Sequence, residues 1–148
     1  MSGEAQLADF ALHLRPVDGT RRARVVPTPA YASPEVLRGA HATVASDIYS
    51  FAATLVTLVH GRGPHSRHVG EDMLAVMDRV LTKPPADLRP SGVPDEMCDI
   101  LEWGLEKEPC RRPSSAAVIG KALQGLQRRL GLEPTHLQVL SLRRPTSR

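Results

Sequence analysis

Aromatic residues are scarce in this chain of 148 residues, only 3% of the total with a single tryptophan. A core built from it must be aliphatic, and the 41% of hydrophobic residues suffices for one domain of this length. Cysteine is scarcer still. Cys98 and Cys110 stand too far apart for a metal knuckle and are too few for a disulfide framework. They read as reduced thiols of an intracellular, cytoplasmic protein. A strong charge of one sign is also missing. The formal net charge of +3 permits an anionic partner without requiring one. The arginine clusters at Arg21, Arg22 and Arg24 and at Arg143, Arg144 and Arg148 read as a solvated loop and tail. No run reaches the roughly 18 uninterrupted apolar residues of a membrane span. The opening M-S-G-E-A-Q-L-A-D-F has neither the basic start nor the apolar stretch of a signal peptide. No internal repeat is visible.

What the chain does have is one helix-length stretch with almost no polar face. From Val44 to His60, Ile48, Phe51, Leu55, Val56, Leu58 and Val59 point in nearly every direction around a helical wheel. A helix apolar all round is a buried helix. At 1.5 Å per residue it is roughly 25 Å long, short for a bilayer, which makes it the expected centre of a folded domain. Asp47 sits in its first turn, where a carboxylate suits the unpaired amides. Gly61 follows as the stop. Ser50 and Thr57 can return their hydroxyls to carbonyls one turn back, so they do not spoil burial.

The rest of the chain arranges itself around this helix. Ala5 to Phe10 reads as a short strand, and residues 11 to 27 as loop. Ser33-Pro34-Glu35 reads as a helix start, with serine as cap and a stop at Gly39. Val69, Met73, Val76 or Met77, Val80 and Leu81 recur at helical spacing and predict an amphipathic helix from about Glu71 to Leu81. The proline-rich run from Thr82 to Pro94 reads as a connector without helix. Asp95 opens a further helix with Met97, Ile100, Leu101 and Leu105 inward. Ser114 or Ser115 caps a last one, carried by Ile119, Ala122, Leu123, Leu126 and Leu130. A tail follows from Glu133, with His136 solvated. His60, His65 and His68 lie together in one loop. A zinc site is conceivable there, but no cysteine is near, and solvated histidines are the expectation.

In this order the motifs resemble the C-terminal lobe of a protein kinase. Asp9-Phe10-Ala11 looks like the D-F-G that holds magnesium. Thr28-Pro29-Ala30-Tyr31 looks like the segment that receives the substrate residue. Ser33-Pro34-Glu35 looks like A-P-E, Asp47-Ile48-Tyr49-Ser50-Phe51 like the start of the buried F helix, and Arg112-Pro113-Ser114 like the R-P-S/T that opens the last helix. The flavour is similar to actinobacterial serine/threonine kinases. The implied architecture is mainly α. It is a C-terminal lobe with an activation segment and helices around a buried central helix, residues 1–130 forming a partial kinase domain and 131–148 a tail or start of a linker.

The resemblance also assigns roles. It implies Asp9 as a Mg²⁺ ligand, Thr28 as the residue that marks serine/threonine specificity, and Asp47 as the holder of the catalytic-loop backbone. It implies a buried ion pair between Glu35 and Arg112. Thr20 is then the candidate phosphosite, with Arg21, Arg22 and Arg24 as charge-assisted partners; the alternative is an ordinary loop residue. Two positions depart from the family pattern. Ala11 replaces a glycine whose free backbone the loop's switching uses, and Pro27 stands where glycine is usual before Thr28.

Phosphoryl transfer needs a glycine-rich loop, a strand lysine with its glutamate, and an H-R-D loop with its asparagine. This sequence has no G-x-G-x-x-G and no H-R-D. Asp9, Thr28 and Asp47 are therefore vestiges of a site rather than a complete one. ATP and Mg²⁺, the cofactors of the intact family, are not expected to bind this chain well. Three functions remain in view. The first is a partial serine/threonine kinase domain, inactive alone. The second is a pseudokinase-derived module that binds a protein partner. The third is a small basic helical nucleic-acid binder, which would need a recognition helix that none of these helices offers. The expected partners are proteins, including a second copy through an uncovered side of the central helix, and neither nucleic acid nor membrane.

Overall fold

Residue 44 begins a helix because the two residues around its start satisfy each other. In the computed structural model, which describes residues 29–136, the Thr43 hydroxyl accepts from the Ser46 amide at 3.4 Å and Ser46 Oγ accepts from the Thr43 amide at 2.6 Å. This reciprocal box supplies partners for two amides that helix geometry leaves free. Every regular element among the described residues is helical. They are α1 (Pro34–Leu37), α2 (Val44–His60), α3 (Met73–Thr82), α4 (Asp95–Gly104) and α5 (Ala116–Arg129), with short 3-10 turns between them. The expected strand at Ala5–Phe10 lies outside the described residues.

α2 is central, and α4 packs against it most extensively. Tyr49, Ala52, Ala53 and Val56 of α2 meet Val80 of α3 and Leu101 of α4 in one aliphatic core. A second cluster joins Ile100 of α4 to Ile119 and Leu126 of α5. The α2–α4 approach is close because Gly104 has no side chain. A Cβ there would lie 2.6 Å from the Ala52 Cβ. Ser50 and Thr57 do return their hydroxyls to the carbonyls of Ser46 and Ala53, at 3.1 Å each. Gly61 ends the helix in the left-handed region at φ 77°.

Several expectations are corrected. α2 is not buried all round: its Val44, Leu58 and Val59 are exposed, Leu58 at 74%, which agrees with the uncovered side expected of it. α3 starts at Met73 rather than Glu71, because Asp72 turns its carboxylate onto the Leu74 amide and caps it. Val69 is consequently a fully exposed loop residue and not part of that helix's stripe. The connector contains a 3-10 turn at Arg89–Ser91 and sends Leu88 into the core. Ser33 takes the extended backbone of a cap, but its hydroxyl makes no capping bond to α1. Leu130 is exposed. Of the two serines that could cap α5, Ser115 is the one that does. Past α5 the chain turns back, and the Thr135 amide donates to Gln127 Oε1 at 3.0 Å.

Candidate functional site

Proline at the first position of α1 costs no helical hydrogen bond, since that amide has no partner in a helix. It leaves Glu35 in the first turn, facing the turn that precedes α5. That turn, Pro109–Arg111, delivers Arg112 inward. Arg112 is 4% exposed. Its Nη1 and Nη2 grip the two Glu35 carboxylate oxygens at 2.7 and 2.8 Å, a bidentate fork. The remaining donors go to carbonyls: Nε to Glu106 at 2.7 Å, Nη1 to Ala45 at 2.8 Å and Nη2 to Lys107 at 3.1 Å. The guanidinium also stands 5.0 Å from the centroid of the Tyr49 ring. One side chain thus fastens α1, the start of α2 and the α4–α5 connection together.

The electrostatics follow. Burial would raise the Glu35 pKa, but the Arg112 hydrogen bonds, its own backbone amide and the guanidinium charge outweigh it and hold the carboxyl below its ordinary value. Ser33, its hydroxyl buried without another partner, lies beside that carboxylate. Burial pushes the Tyr49 phenol up, and its hydroxyl is likewise unpartnered.

The structure brings Glu35 and Arg112 together. It places Asp47 elsewhere, exposed in the first turn of α2. Asp9, Thr20 and Thr28 lie outside the described residues. Pro29, the neighbour of Thr28, is buried in a 3-10 turn with Ala30 and Tyr31, and the Tyr31 hydroxyl lies within hydrogen-bond distance of Thr57 Oγ1, at 3.1 Å. The described residues hold no group of three or more potential ligands for a metal ion. They do not by themselves fit Mg²⁺ or a Mg²⁺-bound nucleotide.

The histidine loop corrects the sequence reading. His60 and His68 are exposed, but His65 is 1% exposed. Its Nε2 lies 3.3 Å from Lys107 Nζ. Sequence reasoning also missed Arg89, which meets the carboxylates of Asp87, Asp95, Asp99 and Glu102. The spacing of those acids on α4 was the available signal. For His65 there was none, because one histidine among loop residues carries no periodicity.

A helical lobe built on a central helix, with an arginine before the last helix clasping the glutamate of a P-E pair, is the substrate-side architecture of protein kinases. The profile of the protein kinase domain family matches residues 1–124, and this chain belongs to that family. The chain is 38% identical over 132 residues to the serine/threonine-protein kinase PknK of Mycobacterium tuberculosis, covering 88% of this chain and 12% of that protein. It is 35% identical to the serine/threonine-protein kinase PkaA of Streptomyces coelicolor, covering 81% and 21%. It is also 35% identical to the DNA damage-responsive serine/threonine-protein kinase RqkA of Deinococcus radiodurans, covering 79% and 17%. The chain therefore spans under a quarter of the length of these relatives. The Rad53 kinase domain structure superposes with a TM-score of 0.51 at 22% identity, over 64% of this chain and 36% of that one. The twitchin kinase fragment of C. elegans gives 0.53 at 24% identity, over 65% and 20%. These two likenesses show the fold. ATP and Mg²⁺ serve the intact members of the family, and no described helix is long and apolar enough to cross a membrane.

Proposed function

We propose that these residues form the substrate-side lobe of an ATP-dependent serine/threonine protein kinase, and that the chain of 148 residues transfers no phosphate by itself. The Glu35–Arg112 clasp carries this reading, because it fixes the segment following Thr28 to the helical scaffold at 2.7 and 2.8 Å. Such rigidity is what a substrate-positioning element requires, since catalysis of phosphoryl transfer is mostly positioning and charge neutralisation. In this reading Thr28 borders the acceptor hydroxyl, Asp47 holds a catalytic-loop backbone and Asp9 is a Mg²⁺ ligand. Thr20 is the activation-segment phosphosite, and residues 131–148 are a tail or the start of a linker.

The test is a pair of assays with radiolabelled ATP and a generic protein acceptor. The purified chain is expected to give no transfer above blank. Joined behind the nucleotide lobe and catalytic loop of the mycobacterial relative, it is expected to give ATP-dependent transfer that Glu35→Ala removes. A folded but silent chimera would overturn the reading. It would favour the second one, a kinase-derived interaction module, for which the exposed Val44, Leu58 and Val59 of α2 are the supporting observation. That module self-associates or binds a protein partner, and sedimentation with Leu58→Glu as the comparison tests it.

A further inference from the structure

Among the described residues His65 is the one buried histidine, and its surroundings are unusual for an imidazole. The α2–α3 loop turns tightly at Gly63, whose carbonyl accepts both the Ser66 amide at 3.2 Å and the Ser66 hydroxyl at 2.8 Å. The turn sends the ring inward beside buried Pro64. There Nε2 meets Lys107 Nζ at 3.3 Å. The same ammonium donates to the Val80 carbonyl at 2.6 Å, one of the last-turn carbonyls that α3 leaves without a helical partner. The Lys107 carbonyl in turn accepts from Arg112 at 3.1 Å. His65, Lys107, Arg112 and Glu35 are thus linked in one run through the protein.

An ammonium offers only donors, so Nε2 must accept and the ring must be neutral, with its proton on Nδ1. Nδ1 is buried without a partner. The charges facing the ring are all positive: Lys107 from the α4–α5 connection and Arg79 from α3, whose own partner is Glu71. Behind Lys107 stand Arg112 and Arg38, opposed by Glu106. Burial first, then Lys107 and Arg79, push the His65 pKa down to about 4. Burial, with Arg112 and Arg38, lowers Lys107 to about 8.

We propose that His65 is an acid-sensitive latch. Neutral, it accepts from Lys107 and holds the α2–α3 loop to the segment that carries Arg112. Protonated, it is a second cation against Lys107 and Arg79, and the loop and the start of α3 come free. A ring whose pKa in the closed form lies below its free value binds its proton more tightly when open. The latch is therefore fully closed above the free value of 6.5 and weakens as pH falls towards about 4. Between pH 7 and pH 5 this difference raises the ratio of open to closed loop by about 20-fold.

Amide hydrogen exchange on the chain of 148 residues, corrected for intrinsic rates, tests this directly. Amides of the loop and first turn of α3 are expected to lose about 20-fold in protection between pH 7 and pH 5, while α4 amides keep theirs. The His65 ring signal is expected to titrate far below the free value of 6.5. His65→Phe keeps an apolar ring and should abolish the acid response, and Lys107→Met should move the His65 titration upward. If His65→Phe does not fold, the wild-type titration and Lys107→Met decide. A His65 ring that titrates at the free value of 6.5, or a loop whose acid response survives in His65→Phe, would overturn the latch.

Discussion

Arg112 and Arg89 both have their guanidinium groups filled, but with different partners and in different surroundings. Arg112 has a fully buried side chain and meets one carboxylate, three carbonyls and the face of Tyr49. Arg89 is a third exposed and meets four carboxylates from the connector and α4, themselves 45–83% exposed. By number of charged partners Arg89 is the richer site. By consequence it should be the poorer one. Water competes for every bond that Arg89 makes, whereas removing a partner from Arg112 leaves a buried charge with nothing to replace it.

The largest expected effect is loss of the clasp. Glu35→Ala strands the Arg112 cation, and Arg112→Ala orphans the carbonyls of Ala45, Glu106 and Lys107 as well as Glu35. Each substitution should cost about 3–5 kcal/mol, read by chemical denaturation. Replacing both residues by apolar ones of similar size should cost less than either single change, because no unpaired charge remains. The clasp also has a pH signature. The Glu35 carboxyl is held below its ordinary value of 4.5, so its contribution is complete above that value and is lost as pH falls through the folded one. Glu35→Gln should flatten the wild-type loss of stability on the acid side of pH 4.5. A chain that shrugs off Glu35→Ala would mean that the Arg112 carbonyl bonds alone are enough.

Next in size is a change that involves no charge and calibrates the same buried region. Gly104→Ala forces a methyl to within 2.6 Å of the Ala52 Cβ, where two helices meet backbone to backbone. Overpacking of this kind typically costs about 1–3 kcal/mol. At Gly125 the same substitution meets only the end of the Arg129 side chain, at 3.4 Å, and should be tolerated. Equal losses at the two glycines would show that the α2–α4 seam is softer than its close approach implies.

What the sequence made legible follows from which signals are periodic and which are not. The four longer helices announce themselves by apolar spacing, glycine stops and capping serines, and each was placed within a few residues. The pairing of Glu35 with Arg112, far apart along the chain, was reached only through the resemblance to kinases; no local pattern joins them. An apolar wheel reports what a helix can bury, not what is there to cover it, and the exposed Leu58 lies on the side of α2 expected to be uncovered. His65 was misread because its burial depends on the Ser66–Gly63 turn and on Lys107 arriving from a distant loop. Asp9, Thr20 and Thr28 were singled out by motif alone.

The smallest expected effect completes the contrast between the arginines. Hydrogen bonds to Glu102, Asp87 and Asp99 all favour the charged form of Arg89, yet the group is a third exposed and its partners more so. Its removal leaves four carboxylates that water can hydrate and salt can screen over a Debye length of about 8–10 Å. Arg89→Ala should therefore shift the melting temperature far less than Glu35→Ala. What loss there is should come from repulsion among Asp95, Asp99 and Glu102 on α4, and it should shrink as sodium chloride is raised. The effect of Glu35→Ala should be nearly indifferent to the same salt, because the charge it strands, on Arg112, belongs to a side chain with no exposed surface for ions to reach. If both variants respond to salt alike, burial is not what separates the two sites, and Arg89 would have to be counted with Arg112 as a clasp of the fold.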